Sequence, residues 1–323
     1  MKIGFIGCGK MAGKMAEEII GIKECELFGC ASRNPDDAII FKNKYKFKKS
    51  YANYDELVHD EEIELVYISV VTKAHYETMK LCIKNHKNVL CEKPCCLDAN
   101  QTKEIIDLAK SENVFLAEAM WTRYMDVRKQ IQGIIDGGEI GEPYLFSSSI
   151  GYHINDNPRM QDPCGGGVLL DCGIYPLNFS LMFCKDEVKC IHASTILFNQ
   201  NVDNIDFVDL RIGDKISANF YCTMESNIDC SAFIYCTNGY LKLDHVNHPT
   251  VIEVFSNDRP PRLIEKIESK PYKDGYGYQW LECIQLIKDG KKESISMPLK
   301  ETLRVMQILD KIREKAGISF IYE

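Results

Sequence analysis

The chain begins MKIGFIGCGKMAGKM (residues 1–15), and this stretch decides the fold of its first third. A short apolar run leads into Gly7-x-Gly9-x-x-Ala12, the G-x-G-x-x-[GA] pattern of phosphate-binding turns. The first glycine allows the tight turn, the second lets the backbone approach a pyrophosphate, and the small third residue lets helix pack on strand. Because helix N-terminal N–H groups attract phosphate, this position favours dinucleotide binding over a plain glycine-rich turn. The residues expected at the dinucleotide are Gly7, Gly9, Lys10, Met11 and Ala12.

Strand and helix patterns alternate through the first third of the chain. The predicted strands are 2–7, 26–31, 65–71, 88–91 and 114–117, and the predicted helices are 10–20, 75–85 and 100–111. The run 65–71 is almost continuously apolar, as expected of a strand covered on both faces. This succession predicts an α/β Rossmann domain with a parallel, doubly wound sheet over residues 1–122.

The pattern changes beyond about residue 123. A helix over 124–136 precedes a strand over 144–152, and the glycine-rich segment 164–167 precedes a second helix that continues to about residue 183. Further strand-like runs occur at 188–197, 207–212, 217–223, 231–236 and 240–243. Turn signals such as Gly213-Asp214 and Asn238-Gly239 indicate antiparallel hairpins. We therefore predict that residues 123–323 form a C-terminal α+β substrate domain with a mainly antiparallel open sheet and a final helix at 299–315.

Composition excludes several classes of protein. The net charge of −8 argues against a general affinity for nucleic acid or for anionic membranes. Apolar runs are too short for a signal-peptide core or a membrane span, so we expect a cytoplasmic protein. The 15 cysteines are expected to be reduced and mostly buried. No metal is predicted, because the candidate zinc ligands Cys91/Cys95/Cys96 and His245/His248 lack the complementary partner pair.

The end of the second predicted strand selects the cofactor. An acidic residue at this position would bind the ribose hydroxyls of NAD, but the chain has Ser32 and Arg33. A guanidinium can clamp a 2′-phosphate and a hydroxyl can donate to it, so we expect NADP. The alternative is NAD, with Asp36 or Asp37 reaching the ribose.

Two motifs place titratable groups where chemistry is expected. Glu92-Lys93-Pro94 stands at the carboxyl end of a predicted parallel strand, the edge at which such sheets bind ligands. Asp171 and Tyr175 are four residues apart, so they share one face of a predicted helix. An ammonium such as Lys93 would lower the pKa of the phenol and help it to exchange a proton with an alcohol. A solvated lysine and a core tyrosine are the alternatives.

The segment 118–124 follows the last predicted parallel strand and contains aromatic residues and a cation. Domain junctions are common pocket positions, although packing between domains would explain the same residues. From position and chemistry, the residues expected at the substrate are Trp121, Arg123, Tyr152 and Arg159.

These motifs together resemble the glucose-fructose oxidoreductase/inositol dehydrogenase/rhizopine-catabolism (Gfo/Idh/MocA) family. The matching stretches are Gly7-x-Gly9-x-x-Ala12, Glu92-Lys93-Pro94, Glu118-Ala119-Met120-Trp121, and Gly165-Gly166-Gly167 followed by Asp171-x-Gly173-x-Tyr175-Pro176. The similarity runs from residue 1 to the final helix. It is greatest to the branch that contains dimeric dihydrodiol dehydrogenase and NADP-dependent D-xylose dehydrogenase.

The resemblance implies roles for these residues. Lys93 would orient the substrate hydroxyl, Tyr175 would be the general acid/base, and Asp171 would orient substrate or relay a proton. Further cofactor contacts implied by the match are Val71, His75 and Glu92. The family often has Thr-Pro-Asn where this chain has Val70-Val71-Thr72, which is a departure on the nicotinamide side. The open sheet of the second domain commonly forms the subunit interface in this family, which implies a homodimer or homotetramer.

The expected activity is reversible hydride transfer between NADP(H) and a hydroxyl-bearing carbon of a small molecule, either a sugar, a polyol or a cyclic diol. One alternative is an NAD-dependent glycoside hydrolase of the same fold, which would release product without net cofactor change. Another is a non-catalytic NADP(H)-binding sensor, against which the set Lys93, Asp171 and Tyr175 argues.

Overall fold

The structure is a computed structural model that describes residues 1–199, 201–271 and 273–321. The chain divides into two compact units. The first joins Met1–Tyr124 with Tyr272–Met306, and the second joins Met125–Pro271 with Gln307–Glu323. The predicted boundary near residue 122 lies close to the first division between the two units. The predicted second domain differs from the second unit, because the segment Tyr272–Met306 belongs to the first unit.

The strands are β1 Lys2–Ile6, β2 Glu26–Ala31, β3 Lys49–Tyr51, β4 Leu65–Ile68, β5 Asn88–Glu92, β6 Leu116–Ala119, β7 Pro143–Gly151, β8 Val188–Asn199, β9 Val202–Ile212, β10 Ile216–Thr223, β11 Ala232–Cys236, β12 Gly239–Leu243, β13 Val251–Ser256 and β14 Leu263–Glu268. The helices are α1 Lys10–Ile19, α2 Pro35–Tyr45, α3 Tyr54–His59, α4 His75–Lys84, α5 Ala99–Ser111, α6 Asp126–Gly137, α7 Ile174–Phe183, α8 Gly277–Lys288 and α9 Leu299–Ala316. Short 3-10 turns cover Thr72–Ala74 and Trp121–Arg123, and a π-helical turn covers Leu169–Gly173.

The first unit contains a six-stranded sheet in the order β3-β2-β1-β4-β5-β6. Neighbouring strands are parallel throughout this sheet. The order reverses between β1 and β4, which is the switch point at which doubly wound sheets bind their ligands. The predicted parallel Rossmann sheet is therefore confirmed.

Helix α8 completes the core of this unit although it lies far along the chain. The indole of Trp280 is fully buried and stacks on Phe5, with ring centroids 5.9 Å apart. Just before α8, the Lys273 ammonium donates to backbone carbonyls at the C-terminal end of α1, where the helix dipole favours a cation. These long-range contacts explain why the segment joins the first unit.

The outer edge of β6 is also covered by a segment from late in the chain. The Leu116 N–H donates to the Lys292 carbonyl at 3.1 Å, so the last strand pairs with a segment from the end of the unit. Covering an edge in this way satisfies backbone groups that would otherwise offer a template to another chain.

The second unit contains an eight-stranded sheet in the order β14-β13-β12-β11-β7-β10-β9-β8. Strands β7 and β10 are parallel, and the other neighbours described are antiparallel. The mainly antiparallel open sheet is therefore confirmed, and the strands that were not predicted are β13 and β14, which lie together at one end of the sheet. Along β9 the buried residues Val208, Leu210 and Ile212 alternate with exposed ones, so one face is covered and the other is open.

Two sequence predictions differ locally from the structure. The strand predicted over 65–71 ends at Ile68, because the chain then turns into the 3-10 turn at Thr72–Ala74. The strand predicted over 114–117 lies at Leu116–Ala119, in register with Val89–Glu92. Most cysteines are buried, as expected of small apolar side chains. Within the described residues, no helix is both long enough and apolar enough to span a membrane.

Candidate functional site

A cleft of about 280 Å³ opens at the carboxyl ends of β1, β2 and β4. It therefore lies at the switch point of the parallel sheet, where a ligand is expected. The residues that line it are Gly7, Cys8, Gly9, Ser32, Arg33, Asp37, Tyr54, Ser69, Val70, Val71 and Ala74.

The glycine turn has the geometry that a pyrophosphate requires. Gly7 has φ +96°, and a Cβ there would lie 2.7 Å from the Ser69 carbonyl oxygen, so only glycine fits. Gly9 caps the N-terminus of α1, and a Cβ at this position would meet no atom within 4 Å. Gly9 also lines the cleft, so the N-terminus of α1 stands at its edge, and buried Ala12 allows close helix packing. Lys10 and Met11 begin α1 and do not line the cleft.

The far end of the cleft carries the groups that could select the cofactor. Ser32 and Arg33 follow β2, Asp37 lies on α2, and Tyr54 begins α3. Burial raises the pKa of Tyr54, and the nearby Arg33 charge opposes that rise. A guanidinium and a phenol ring are surfaces on which an adenine can stack, and Arg33 with Ser32 can also bind a 2′-phosphate. The alternative ribose ligand Asp37 lines the cleft, whereas Asp36 does not.

Three buried side chains, Tyr67, Glu118 and His75, fix the turn that carries Lys93. The Tyr67 hydroxyl donates to Glu92 Oε1 at 2.6 Å. The Glu118 carboxylate accepts from the Cys95 N–H at 3.1 Å. The His75 ring bonds the Pro94 carbonyl through Nδ1 at 2.9 Å and the Val70 carbonyl through Nε2 at 3.1 Å.

The electrostatics of this turn are set by burial. Burial raises the pKa of Glu118 to about 7 and lowers the pKa of His75. Of the three cofactor contacts implied by the family match, Val71 lines the cleft, while His75 and Glu92 are buried supports of the Lys93 turn. Lys93 itself is half-buried at the end of β5.

A second cluster forms within the other unit. Asp171 lies in the π-helical turn, and its Oδ1 accepts from Arg159 Nη1 at 3.0 Å. Burial lowers the pKa of the Arg159 guanidinium, but Asp171 and Tyr175 raise it, and the net shift is upward. The structure thus brings Arg159, Asp171 and Tyr175 together, and π-helical turns of this kind are frequent at functional sites.

The other predicted substrate residues are held by different contacts. Trp121 is buried with its ring 4.3 Å from that of Tyr276, and buried Arg123 pairs with Glu301 at 3.5 Å. Tyr152 is half-buried at the end of β7, and its hydroxyl accepts from the Asn247 amide at 3.5 Å. Burial raises the pKa of Tyr152 to about 12.

The sequence of the chain matches two protein-family models, one for each part of the fold. The first, described as "Oxidoreductase family, NAD-binding Rossmann fold", matches residues 1–120, and the second, "GFO/IDH/MocA C-terminal domain", matches residues 129–242. Together the two models cover more than half of the chain. The chain belongs to the Gfo/Idh/MocA oxidoreductase family. The resemblance, the oxidoreductase class and the nicotinamide cofactor class inferred from the sequence are therefore confirmed.

Individual relatives agree with this membership. The trans-1,2-dihydrobenzene-1,2-diol dehydrogenase of Mus musculus is 28% identical over 327 residues, which cover 99% of this chain and 98% of the relative. The enzyme of the same name from Danio rerio is 28% identical, covering 99% of this chain and 98% of its own.

Solved structures share the fold of this Gfo/Idh/MocA protein. A 3-ketoreductase from Actinomadura kijaniata, in complex with NADP and TDP-benzene, superimposes with a TM-score of 0.90 at 20% identity and covers 100% of this chain and 99% of its own. A levoglucosan dehydrogenase in complex with NADH and levoglucosan superimposes with a TM-score of 0.85 at 17% identity, covering 98% of this chain and 97% of its own.

Sequence reasoning missed some residues of these sites. Tyr54 begins a helix that the sequence reading did not predict, although Asn53 is a good N-cap whose side chain accepts from the Glu56 N–H. The support that Glu118 gives to the Lys93 turn joins residues 23 positions apart, and no local pattern indicates it.

Proposed function

We propose that this Gfo/Idh/MocA protein transfers hydride reversibly between NADP(H) and a hydroxyl-bearing carbon of a sugar, a polyol or a cyclic diol. The observation that carries the proposal is the Arg159–Asp171–Tyr175 cluster, which gathers a phenol, a carboxylate and a guanidinium in a chain that also has a Rossmann cofactor cleft. NADP+ supplies the hydride acceptor when bound, and the protein supplies position and electrostatics.

Tyr175 is the proposed general acid/base. In the oxidation direction it accepts the hydroxyl proton, and Lys93 has the role that the family resemblance implies, which is to orient the hydroxyl. The Arg159 guanidinium adds a positive charge near the same phenol, and Asp171 holds that guanidinium in place. Arg159 thus supports the reaction from within the cluster, which refines its expected role as a substrate contact.

NADP is the preferred cofactor in this proposal. Arg33 and Ser32 line the end of the cleft that would receive a 2′-phosphate, and the Asp37 carboxylate is the one opposing charge among the described lining residues. The relatives named as trans-1,2-dihydrobenzene-1,2-diol dehydrogenases carry a cyclic diol in their name, which supports a compact hydroxylated substrate. The many buried cysteines support a reducing, cytoplasmic location.

Two substitutions test the chemistry. Tyr175→Phe and Lys93→Met should each lower kcat for NADP+-linked oxidation by at least about 100-fold, because each removes a group that acts on the transferred proton. Both variants should bind NADPH within about two-fold of the wild type if they retain its fold. Near-wild-type turnover by either variant would overturn the assignment, and product release without net reduction of NADP+ would indicate a hydrolase instead.

We also propose that the open face of the eight-stranded sheet pairs with a second copy of the chain. Phe207 on β9 and Tyr221 on β10 are exposed and stack with centroids 6.0 Å apart, and Ile196 and Phe198 on β8 are exposed beside them. Contiguous exposed apolar side chains of this kind mark interaction sites, and isologous dimers are the commonest assembly.

Light scattering tests the proposed assembly. Phe207→Glu should convert the protein to a monomer, because it places a charge in the centre of the proposed interface. Ile20→Glu is the matched control, since Ile20 is equally exposed but lies in the first unit. A wild-type monomer, or an unchanged mass for Phe207→Glu, would refute the interface.

A further inference from the structure

Two buried carboxyl groups lie behind the glycine-rich segment 164–167. Asp203 and Asp206 both belong to β9, and their side chains are only 2% and 1% exposed. Each carboxyl lies within hydrogen-bonding reach of the other. A buried carboxylate is costly unless hydrogen bonds compensate it, so this pair requires an explanation.

Asp203 is bound directly to the turn that leads into the candidate active site. Its Oδ2 accepts from the Leu169 N–H at 2.6 Å, and Leu169 is the first residue of the π-helical turn. Gly167 has φ +86°, and a Cβ at that position would overlap the Asp203 carboxylate. The Asp203 carboxylate therefore packs against Gly167 and accepts the Leu169 N–H, so it contacts the chain on both sides of Val168 where the turn that carries Asp171 begins.

Asp206 supports Asp203 in turn. Among the described residues, Asp206 Oδ1 has no conventional hydrogen-bond donor, and the Cys222 thiol is a weak donor 3.7 Å from Oδ2. Two adjacent buried carboxyls cannot both ionise readily, which favours a state in which the pair retains one proton. Burial, followed by the Asp203 charge, raises the pKa of Asp206 to about 8. The other polar groups that face Asp206 are Thr195 on β8 and Cys222 on β10.

We propose that Asp203 and Asp206 share one proton and act as positioning residues, fixing the π-helical turn and thereby Asp171 and Tyr175. Asp206 carries the proton and donates to Asp203, which stays ionised and accepts the Leu169 N–H. The catalytic consequence rests on the proposed function, whereas the shared proton and the held turn do not.

The activity experiment compares Asp206→Asn with Asp206→Ala. The asparagine amide donates to Asp203 as the protonated carboxyl does, so Asp206→Asn should retain kcat within about three-fold. Asp206→Ala removes the donor and should lower kcat at least about ten-fold, with KM for NADP+ unchanged because the cofactor cleft lies in the first unit. Equal kcat values for wild type and Asp206→Ala, or equal losses for the two variants, would overturn the positioning role.

A second measurement does not depend on substrate. The unfolded state releases the Asp206 proton near pH 4 and the folded state near pH 8, so between these values the folded state holds the extra proton and stability falls as pH rises. Asp206→Asn lacks this proton, so its Tm should fall less between pH 5 and pH 8 than the wild-type Tm. Asp206→Asn should also keep slow hydrogen exchange at the Leu169 amide. A wild-type pH slope in Asp206→Asn would overturn the shared proton even if no substrate were found.

Discussion

Arg33 and Asp37 place opposite charges at one end of the cofactor cleft. Arg33→Ala should weaken NADPH binding about 10–150-fold. This range corresponds to the loss of a hydrogen bond to a charged group, which contributes about 1.5–3 kcal/mol. NADH binding should change by less than about three-fold, because NADH has no 2′-phosphate. Asp37→Asn is the matched variant and should strengthen NADPH binding. Nicotinamide fluorescence titration of both cofactors measures these affinities in the wild type and the two variants, and an equal loss for both cofactors in Arg33→Ala would contradict the assignment.

Gly7 and Gly9 belong to the same motif, but the structure gives them different reasons to be glycine. Gly9→Ala should fold with wild-type Tm, because its Cβ meets no protein atom, yet bind NADPH at least about ten-fold more weakly. Gly7→Ala should weaken NADPH binding and should also lower Tm. Its Cβ would press on the Ser69 carbonyl, and residue 7 has a left-handed backbone conformation. Thermal unfolding with and without NADPH separates the two effects. Wild-type NADPH affinity in Gly9→Ala would place the pyrophosphate elsewhere.

Individual residues of the site differ in how well the sequence alone predicts them. Gly7 and Gly9 were predicted because the motif fixes their spacing to a strand and a helix, and Ser32 because it stands at the end of the second predicted strand. The partnership of Arg159 with Asp171 was not predicted, because it joins two residues across an irregular segment whose path no periodicity specifies. Asp203 and Asp206 lie outside the strand predicted over 207–212, and only the packing of the glycine-rich segment reveals that both are buried.

The turn between β5 and α5 depends on a buried carboxyl from β6. Since burial raises the pKa of Glu118 to about 7, the folded state retains a proton that the unfolded state releases near pH 4.5. Stability is therefore lost as pH rises through this window, by on the order of 3 kcal/mol at most. Glu118→Gln should flatten the pH dependence of unfolding between pH 4.5 and 7, while its amide oxygen still accepts the Cys95 N–H.

Glu118→Leu is the matched variant for that prediction. It leaves the Cys95 N–H without its acceptor, so it should lower kcat through displacement of Lys93, whereas Glu118→Gln should retain most of the activity. Urea unfolding at pH 5 and pH 7.5 gives the change in unfolding free energy with pH for the wild type, Glu118→Gln and Glu118→Leu. The Asp203–Asp206 pair contributes equally to this change in all three proteins. Equal activity in Glu118→Leu and wild type would show that the Lys93 turn does not need this support.

At the level of elements, long periodic segments were predictable and short or distant ones were not. The glycine turn, the apolar strands and α9 carry strong local signals. Strand β3 has only three residues, and α2 exposes Ile39 and Ile40, which obscures an amphipathic pattern. Helix α8 has no strong signal in its own sequence, and its place in the first unit depends on long-range contacts such as the stacking of Trp280 on Phe5.

Whole-molecule stability should therefore depend on Trp280. Trp280→Ala removes rings stacked on Phe5 and packed on Tyr67, and should cost about 3–5 kcal/mol of unfolding free energy. Leu281→Ala is the control on the same helix, because Leu281 is 43% exposed and its truncation should cost less than about 1 kcal/mol. Denaturant unfolding of the full chain measures both. Equal costs for the two variants would mean that α8 is not part of the first core.

The discontinuous first unit also sets the order in which the molecule can be completed on the ribosome. Its sheet strands are synthesised by Ala119, but the indole that fills its core and the segment that covers the edge of β6 follow only at Trp280 and Lys292. At 5–20 residues per second, the roughly 155 residues between Tyr124 and Trp280 take about 8–30 s. Throughout that interval the nascent N-terminal sheet exposes an apolar face and an unpaired strand edge. We therefore expect the first unit to need protection by chaperones until residues 273–292 have been synthesised.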